Sequence, residues 1–166
     1  KIRVNGTYDF REGIKMANDG YKKSGVPWRQ AWQMSLFGET FTVAMVTPVK
    51  NFAQFDTPGP MAGLSAADSV KYQTLMRNAI ESSRHSLVRY APELSINSGT
   101  MQEPKYARVM TIRVKPGRVA EFEDAIKTLL LPAIRQAGIK DYWVDRMVLG
   151  GVTGEYTTLT PFTKWS

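Results

Sequence analysis

Two short runs of alternating residues carry the side chains that are best suited to binding a small molecule. They are Trp28, Gln30, Trp32 and Met34 in the first half of the chain and Asp141, Trp143, Asp145 and Met147 in the second. Side chains two positions apart lie on the same face of a strand, so each run predicts a face that mixes indole rings with amide or carboxyl groups. Such mixtures are typical of ligand pockets, and a packed core is the alternative. The candidate ligand-binding residues are therefore Gln30, Trp32, Met34, Trp143 and Asp145.

Residue types that catalytic sites and metal centres commonly require are scarce in this chain. It contains one histidine, His85, and no cysteine, which excludes multi-histidine metal sites, thiolate sites and a cysteine nucleophile. The sequence has no nucleophile-elbow motif for a serine hydrolase and no acidic cluster at metal-ligand spacing. The glycine-rich run at 150–154 precedes no predicted helix, so it indicates a hairpin turn rather than a phosphate-binding loop. We expect no catalytic residue, no metal and no cofactor.

Composition and charge describe a basic globular protein. The chain has 166 residues, a net charge of +7 and 43% hydrophobic residues, which is enough for a sizeable core. It has no run of about 18 apolar residues, so we expect no transmembrane segment. Nucleic-acid binding is disfavoured because the positive charges are scattered, and only Lys22 and Lys23 are adjacent.

Hydrophobic periodicity and turn residues predict the elements of the first half of the chain. In order, these are the end of a strand at 1–4, a helix over 8–23, a hairpin of strands 27–37 and 41–47, a short helical segment at 51–56, a helix over 66–83 and a strand over 85–90. Gly25 is placed to end the first helix, because glycine accepts the left-handed conformation that follows many helices. The last strand is predicted to be the fourth strand of the first unit.

The second half of the chain repeats this order. The predicted elements are a strand over 106–115, an amphipathic helix over 118–137 and a hairpin of strands 142–149 and 155–160. Pro132 lies inside the helical pattern and is expected to kink it, because proline removes a backbone donor and crowds the preceding turn. Gly138 is placed to end this helix, as Gly25 ends the first one.

An internal repeat relates the two halves. Residues 25–52 align without a gap to residues 138–165, so that Gly25 falls on Gly138, Met34 on Met147 and Gly38 on Gly151. A repeat of this size predicts two copies of one supersecondary unit, related by a pseudo-two-fold axis. We expect a first unit at 1–97, a connector at 98–105 and a second, incomplete unit at 106–166. Because both copies lack elements at the chain ends, we expect either a longer natural chain or strands supplied by a neighbouring chain.

The order strand, helix, strand, strand, helix, strand is that of a ferredoxin-like unit, an α+β fold. With the motif VKPGRVAEFEDAI at the first turn and helix of the second copy, and the glycine-ended helix before a hairpin that ends in Thr-Pro, the chain resembles the dimeric α/β-barrel superfamily. The resemblance implies two tandem ferredoxin-like units packed as a pseudo-dimeric α/β barrel, the second unit truncated. Within the superfamily the chain is similar to bacterial proteins of uncharacterised function, many of them extracytoplasmic, which implies a periplasmic or secreted location.

The same resemblance defines the functional alternatives. The superfamily includes cofactor-independent monooxygenases, haem-degrading enzymes and haem-dependent chlorite dismutases, and the haem enzymes usually need an axial histidine. His85 lies between the charged residues Arg84 and Arg89 and has no partner motif around it, so we expect it to be neither catalytic nor a haem ligand. We therefore expect a non-catalytic binding module or accessory subunit of a larger assembly, with a protein partner or self-association and a small apolar or aromatic ligand. The alternative is a monooxygenase-like enzyme with an aromatic-lined interior pocket.

Overall fold

A computed structural model describes residues 1–34, 38–56, 59, 61, 63–99 and 104–164. The fold is mixed α+β, with two separate antiparallel sheets of two and four strands within these ranges. Both sheets are open, so the described residues do not form a closed barrel. The chain divides into two compact units, Lys1–Ser83 and Arg84–Ser166.

Among its described residues, the first unit contains two helices, a short hairpin and a 3₁₀-helical turn. Its elements are helix α1 (Thr7–Lys23), strands β1 (Gln30–Gln33) and β2 (Val43–Val46), the 3₁₀ turn Phe52–Asp56 and helix α2 (Ala66–Ala79). The start of α1 approaches the end of α2 closely because Gly6 has no side chain: a Cβ there would lie 2.7 Å from the Cα of Ala79. After α1, Gly25 adopts a φ of 76°, which confirms its predicted place at the helix end.

The amino-terminal segment of the first unit ends α2 earlier than the sequence pattern predicts. The helix was expected over 66–83 but stops at Ala79. Ile80 instead forms an antiparallel bridge with Ile2, and the Arg3 N–H donates to the Ala79 carbonyl at 2.8 Å. These bonds replace the ones that further helical turns would have made. The strand end predicted at 1–4 is thus reduced to the single bridge at Ile2.

The described part of the second unit, residues 84–99 and 104–164, forms a four-stranded antiparallel sheet with one long helix. Its elements are β3 (Leu87–Tyr90), the 3₁₀ turn Pro92–Leu94, β4 (Tyr106–Arg113), α3 (Val119–Ala125), the π-helical turn Ile126–Leu130, α4 (Leu131–Gln136), β5 (Trp143–Leu149) and β6 (Glu155–Phe162). The strand order is β3-β5-β6-β4. The predicted strands and helix of the second half all form here, with ends shifted by a few residues.

The helix of the second unit covers one face of its sheet and forms the core with it. Val144 of β5 and Tyr156 of β6 are buried and belong to one cluster with Ile126, Leu131 and Ile134. Such side chains are typical of a packed core, where each fully buried large side chain contributes about 1.5–3 kcal/mol. One face of the sheet is therefore closed by α3 and α4.

Pro132 changes the type of helix. Proline has no N–H and its ring crowds the carbonyl four residues earlier. The π-helical turn Ile126–Leu130 directly precedes it, and the Leu131 N–H donates to the carbonyl of Ile126, five residues back. The widened turn accommodates the proline where the sequence predicted a kink, as π-bulges do in other helices.

β3 forms close to where the sequence predicted a strand, but in the other sheet. We expected 85–90 to be the fourth strand of the first unit, whereas Leu87–Tyr90 pairs with β5 of the second unit. The close approach at Gly150 is one reason. A Cβ there would lie 2.3 Å from the His85 carbonyl oxygen, so only glycine lets the chain pass alongside the β5–β6 turn.

Candidate functional site

The second face of the four-stranded sheet, opposite α3 and α4, carries the candidate site, and we call it the open face. Strand residues alternate between faces, and Val144 and Tyr156 point to the helix side. The open face is therefore formed by Val88 and Tyr90 of β3, Ala107, Val109, Thr111 and Arg113 of β4, Trp143, Asp145, Met147 and Leu149 of β5, and Glu155, Thr157, Leu159 and Pro161 of β6. Tyr90 is 42% exposed and Val109 is 43% exposed.

A row of oxygen-bearing side chains crosses this face from one edge to the other. Tyr90 is directly opposite Asp145, Asp145 is opposite Thr157, and Thr157 is opposite Thr111. Directly opposite residues share a face, so the strand register alone brings these four residues into line. We call them the polar row.

Apolar side chains flank the polar row. On one side, Trp143 pairs with Leu159 and Leu159 pairs with Val109. On the other side, Val88 pairs with Met147 on β3 and β5, whereas Arg113 and Glu155 lie opposite each other on β4 and β6 and form an ion pair at 3.5 Å. The open face thus combines an apolar surface with a central line of hydroxyl and carboxyl groups, which is the composition expected of a small-molecule site.

Trp143 carries an unsatisfied hydrogen-bond donor. Its indole Nε1 is buried and has no hydrogen-bond partner among the described residues. A buried donor without a partner typically costs about 1–3 kcal/mol, because its bond to water is lost and nothing replaces it. This is uncommon for a tryptophan, whose N–H is usually bonded when buried.

Asp145 is two residues further along the same strand face. Burial raises the pKa of its carboxyl above the ordinary value of 3.8, and it is the only cause of the shift. The described part of the chain provides this carboxyl with no hydrogen bond and no ion pair. The titratable group directly opposite it is Tyr90. Trp143 and Asp145 therefore offer one donor and one carboxyl group, about 7 Å apart along the backbone.

The candidates of the first unit have a different environment. Gln30 and Trp32 lie in β1, and Trp32 Nε1 donates to Gln30 Oε1 at 3.3 Å. Gln30 is exposed, whereas Trp32 and Met34 are half-buried. The structure thus brings Gln30 and Trp32 together, and the indole N–H of Trp32 has a hydrogen-bond partner within its own strand. Trp143 has no such partner among the described residues. Ligand contact at these residues stays a prediction.

The other members of the two alternating runs separate by environment. Asp141 is buried, and its Oδ1 accepts a hydrogen bond from the Ser98 N–H at 2.9 Å. Its Oδ2 accepts from the Ser98 hydroxyl at 2.9 Å. Asp141 therefore ties the segment after the 3₁₀ turn Pro92–Leu94 to the start of β5. Trp28, in contrast, is 47% exposed.

A charged network on the helix side of the sheet was not anticipated from the sequence. Arg146 Nε donates to Glu123 Oε1 at 2.7 Å, and Arg146 Nη2 donates to Glu93 Oε1 at 2.5 Å. The Tyr156 hydroxyl donates to the same Glu123 oxygen at 2.7 Å. The hydrogen bond from Arg146 is the main cause that lowers the pKa of Glu123. The bonded residues are 23 to 53 positions apart in sequence, so no local pattern predicts the network. Because these charged and polar groups bond to one another, we assign the network a structural role.

The remaining features do not form a second site in the described ranges. His85 is exposed, and no group of three or more histidine, cysteine or acidic residues could hold a metal ion there. One open groove of about 440 Å³ is lined by Val114, Lys115, Arg118, Glu121 and Phe122. A second, of about 400 Å³, is apolar and runs along α3, the π-helical turn and α4. Within the described segments, every helix is too short or too polar to span a membrane.

Comparison of the chain with protein-family models, curated proteins and solved structures found no match.

Proposed function

We propose that this protein is a binding module that holds a small amphipathic molecule against the open face of its four-stranded sheet. The observation that carries the proposal is the buried Nε1 of Trp143, which has no partner among the described residues. A ligand oxygen that accepts from this N–H removes an energetic cost that the ligand-free protein bears. The apolar residues on both sides of the polar row supply the contact area that a flat ligand needs.

We infer the architecture of two tandem ferredoxin-like units from two further observations. The strand order β5-β6-β4 corresponds to the three strands that a ferredoxin-like unit places side by side in the second copy. Gly25 and Gly138, which the repeat aligns, have φ angles of 76° and 74° and each follows a helix and precedes a hairpin. Leu36, Phe37 and Trp165, which are also part of the aligned repeat, lie outside the described residues.

The role of accessory subunit is a second part of the proposal, and it is supported by the sheet edges. β3 and β4 are the outer strands of the sheet, and each has one edge without a strand partner in the described residues. Such edges readily pair with another chain, which agrees with a protein partner or self-association. The proposed extracytoplasmic location depends on the resemblance to the dimeric α/β-barrel superfamily.

A cofactor-independent monooxygenase-like enzyme is the second candidate function, and Asp145 favours it. A carboxylate with a raised pKa is a better proton acceptor than an ordinary aspartate. In that case Asp145 accepts the proton of a substrate hydroxyl, and the resulting aryloxide supplies the electrons that reduce dioxygen: one oxygen atom enters the ring to give a quinone and the other leaves as water. An oxygen electrode with 1-naphthol as substrate distinguishes the two candidates. A binding module consumes no oxygen above a protein-free control. An enzyme consumes oxygen above that control, at a rate that depends on Asp145.

The binding proposal is tested with 2-acetonaphthone, a flat ketone that accepts but does not donate hydrogen bonds. Equilibrium dialysis should show saturable binding to the parent protein, and Trp143→Phe should weaken it about tenfold, the equivalent of one hydrogen bond. Trp28→Phe is the matched control, because Trp28 is exposed and lies in the first unit. No saturable binding, or equal binding by the parent and Trp143→Phe, contradicts the proposed function.

A further inference from the structure

The geometry of the open face points to a ligand class: an uncharged, flat carbonyl compound that also carries a hydroxyl group. Its carbonyl oxygen accepts a hydrogen bond from Trp143 Nε1, and its hydroxyl donates one to the carboxylate of Asp145. This inference rests on the proposed binding function and specifies what that site selects.

The requirement for an acceptor follows from Trp143. An indole N–H can only donate, and this one is buried without a partner in the described chain. A ligand group that pairs with it must therefore contain an acceptor. A carbonyl oxygen meets this need without bringing a charge into a partly buried surface, where an ion without a partner is costly.

The requirement for a donor follows from Asp145. When ionised, its two oxygens only accept, and neither has a hydrogen bond or ion pair within the described residues. A ligand carboxylate or phosphate near this group is repelled by it. A ligand hydroxyl instead donates to the carboxylate, and bonds of this charge-assisted type are stronger than those between neutral groups.

Two observations favour a hydroxyl over an ammonium group as the donor. The three other members of the polar row, Tyr90, Thr157 and Thr111, are hydroxyls that can both accept from and donate to a neutral polar ligand. In addition, the net charge of +7 repels a cationic ligand as it approaches the protein. Both features suit an uncharged molecule.

The flat shape and size follow from the sheet. Neighbouring strands are about 4.8 Å apart, so the polar row extends over about 14 Å across four strands. Apolar side chains flank the β3–β5 part of the row on both sides, with Trp143 and Leu159 on one and Val88 and Met147 on the other. On β4 and β6 the second side carries the Arg113–Glu155 ion pair, whose charges satisfy each other. A body of two fused rings with oxygen substituents fits this surface, because its ring faces lie on apolar groups while its oxygens reach the row.

The test compares two ketones that differ by one hydroxyl group, 2-acetonaphthone and 6-hydroxy-2-acetonaphthone. The parent protein should bind the hydroxy ketone about tenfold more tightly, which corresponds to the added hydrogen bond to Asp145. Asp145→Leu, which removes the acceptor and puts an apolar side chain of similar size in its place, should abolish this tenfold preference, so that the variant binds the two ketones equally. Trp143→Phe should weaken binding of both ketones. Far-UV circular dichroism checks that each variant is folded, and Trp28→Phe should behave as the parent protein.

The outcomes separate this inference from the proposed function. If 2-acetonaphthone binds in a Trp143-dependent manner but the hydroxyl adds no affinity, the binding function stands and the ligand class is wrong. The class is also wrong if the ammonium analogue, 6-aminomethyl-2-acetonaphthone, binds more tightly than the hydroxy ketone. If the parent protein binds neither ketone, both the ligand class and the binding function are contradicted.

Discussion

Arg146 on β5 and Glu123 on α3 form a hydrogen-bonded ion pair, with 2.7 Å between Nε and Oε1. The side chain of Glu123 is 19% exposed and that of Arg146 is 28% exposed, so the pair is only partly screened by water. Because the Tyr156 hydroxyl donates to the same carboxylate oxygen, one acceptor joins the helix to two neighbouring strands. The pair therefore fixes where α3 sits on the sheet.

Glu123→Gln should lower the free energy of unfolding by about 2 kcal/mol at pH 7, because it removes the charge from a partly buried network. The pKa of Glu123 is lowered from 4.5 in the folded protein, so its contribution is fully present above pH 4.5 and is lost as the pH falls through the folded pKa. The stability difference between parent and variant should therefore shrink in acid. Urea unfolding at pH 7 and pH 3 measures it.

Glu121→Gln is the matched control for this experiment. Glu121 also pairs with an arginine, Arg118, but both side chains are more than 60% exposed. Exposed pairs contribute little, so we expect a change below about 1 kcal/mol. Equal effects of the two substitutions would show that burial of the Glu123 pair adds nothing.

Asp145→Asn should increase the free energy of unfolding relative to the parent protein, and this gain should be larger at neutral pH than in acid. The pKa of Asp145 is raised from 3.8 by burial, so the folded state binds this proton more tightly than the unfolded state does. Stability of the parent then falls as the pH rises from about 3.8 through the folded pKa. Asparagine does not ionise, so the variant's advantage in unfolding free energy should be larger at pH 7 than at pH 3.

Asp124→Asn serves as the control for Asp145, since Asp124 lies on the exposed side of α3. Surface substitutions of this kind change stability by about 0.5 kcal/mol or less. A parent protein whose stability relative to Asp145→Asn is independent of pH would contradict the proposed burial of the carboxyl.

Gly150→Ala should destabilise the second unit by about 3 kcal/mol. Two costs add: the residue has a φ of 83°, and the new Cβ would meet the His85 carbonyl oxygen at 2.3 Å. Gly25→Ala tests the first cost alone, because it has a φ of 76° and no atom lies near the added Cβ. That control should lose about 1 kcal/mol. Thermal unfolding of both variants, together with hydrogen exchange at β3, shows whether the close approach matters.

Asp141→Ala should lower stability by about 2 kcal/mol, because Ser98 then loses the acceptor for both its N–H and its hydroxyl. Ser98→Ala is the informative comparison. It removes the hydroxyl but keeps the N–H that donates to Asp141, so the loss should be clearly smaller. Chemical denaturation distinguishes them, and equal losses would mean that the backbone hydrogen bond contributes nothing.

Local sequence patterns determined most of the elements of this protein. Periodic apolar residues predicted α1 and the long helix of the second unit, and alternation predicted β4, β5 and β6. Gly25 and Gly138 were identified as helix ends, because their positive φ is a local requirement that glycine meets without strain. These predictions succeeded because the physical cause lies within a few neighbouring residues.

The candidate site depends both on local sequence pattern and on tertiary structure. Alternation placed Trp143 and Asp145 on one strand face. It did not reveal the line from Tyr90 to Thr111, because that line depends on the register of four strands that are far apart in sequence. The sequence pattern made Gln30 and Trp32 equivalent to their repeat partners, but the indole N–H of Trp32 is bonded within its strand, whereas that of Trp143 is buried without a partner in the described residues.

The sequence by itself therefore determined the local structure: an α+β composition, the helices and hairpins, and two strand faces rich in aromatic and polar groups. The tertiary structure decided which sheet β3 joins, where α2 ends and which polar groups are satisfied. Those outcomes depend on contacts between distant residues, such as the Ile2–Ile80 bridge and the Arg146–Glu123 pair. Such contacts compete with local preference through hydrogen bonding and close packing, and their result is not encoded in any short stretch of the chain.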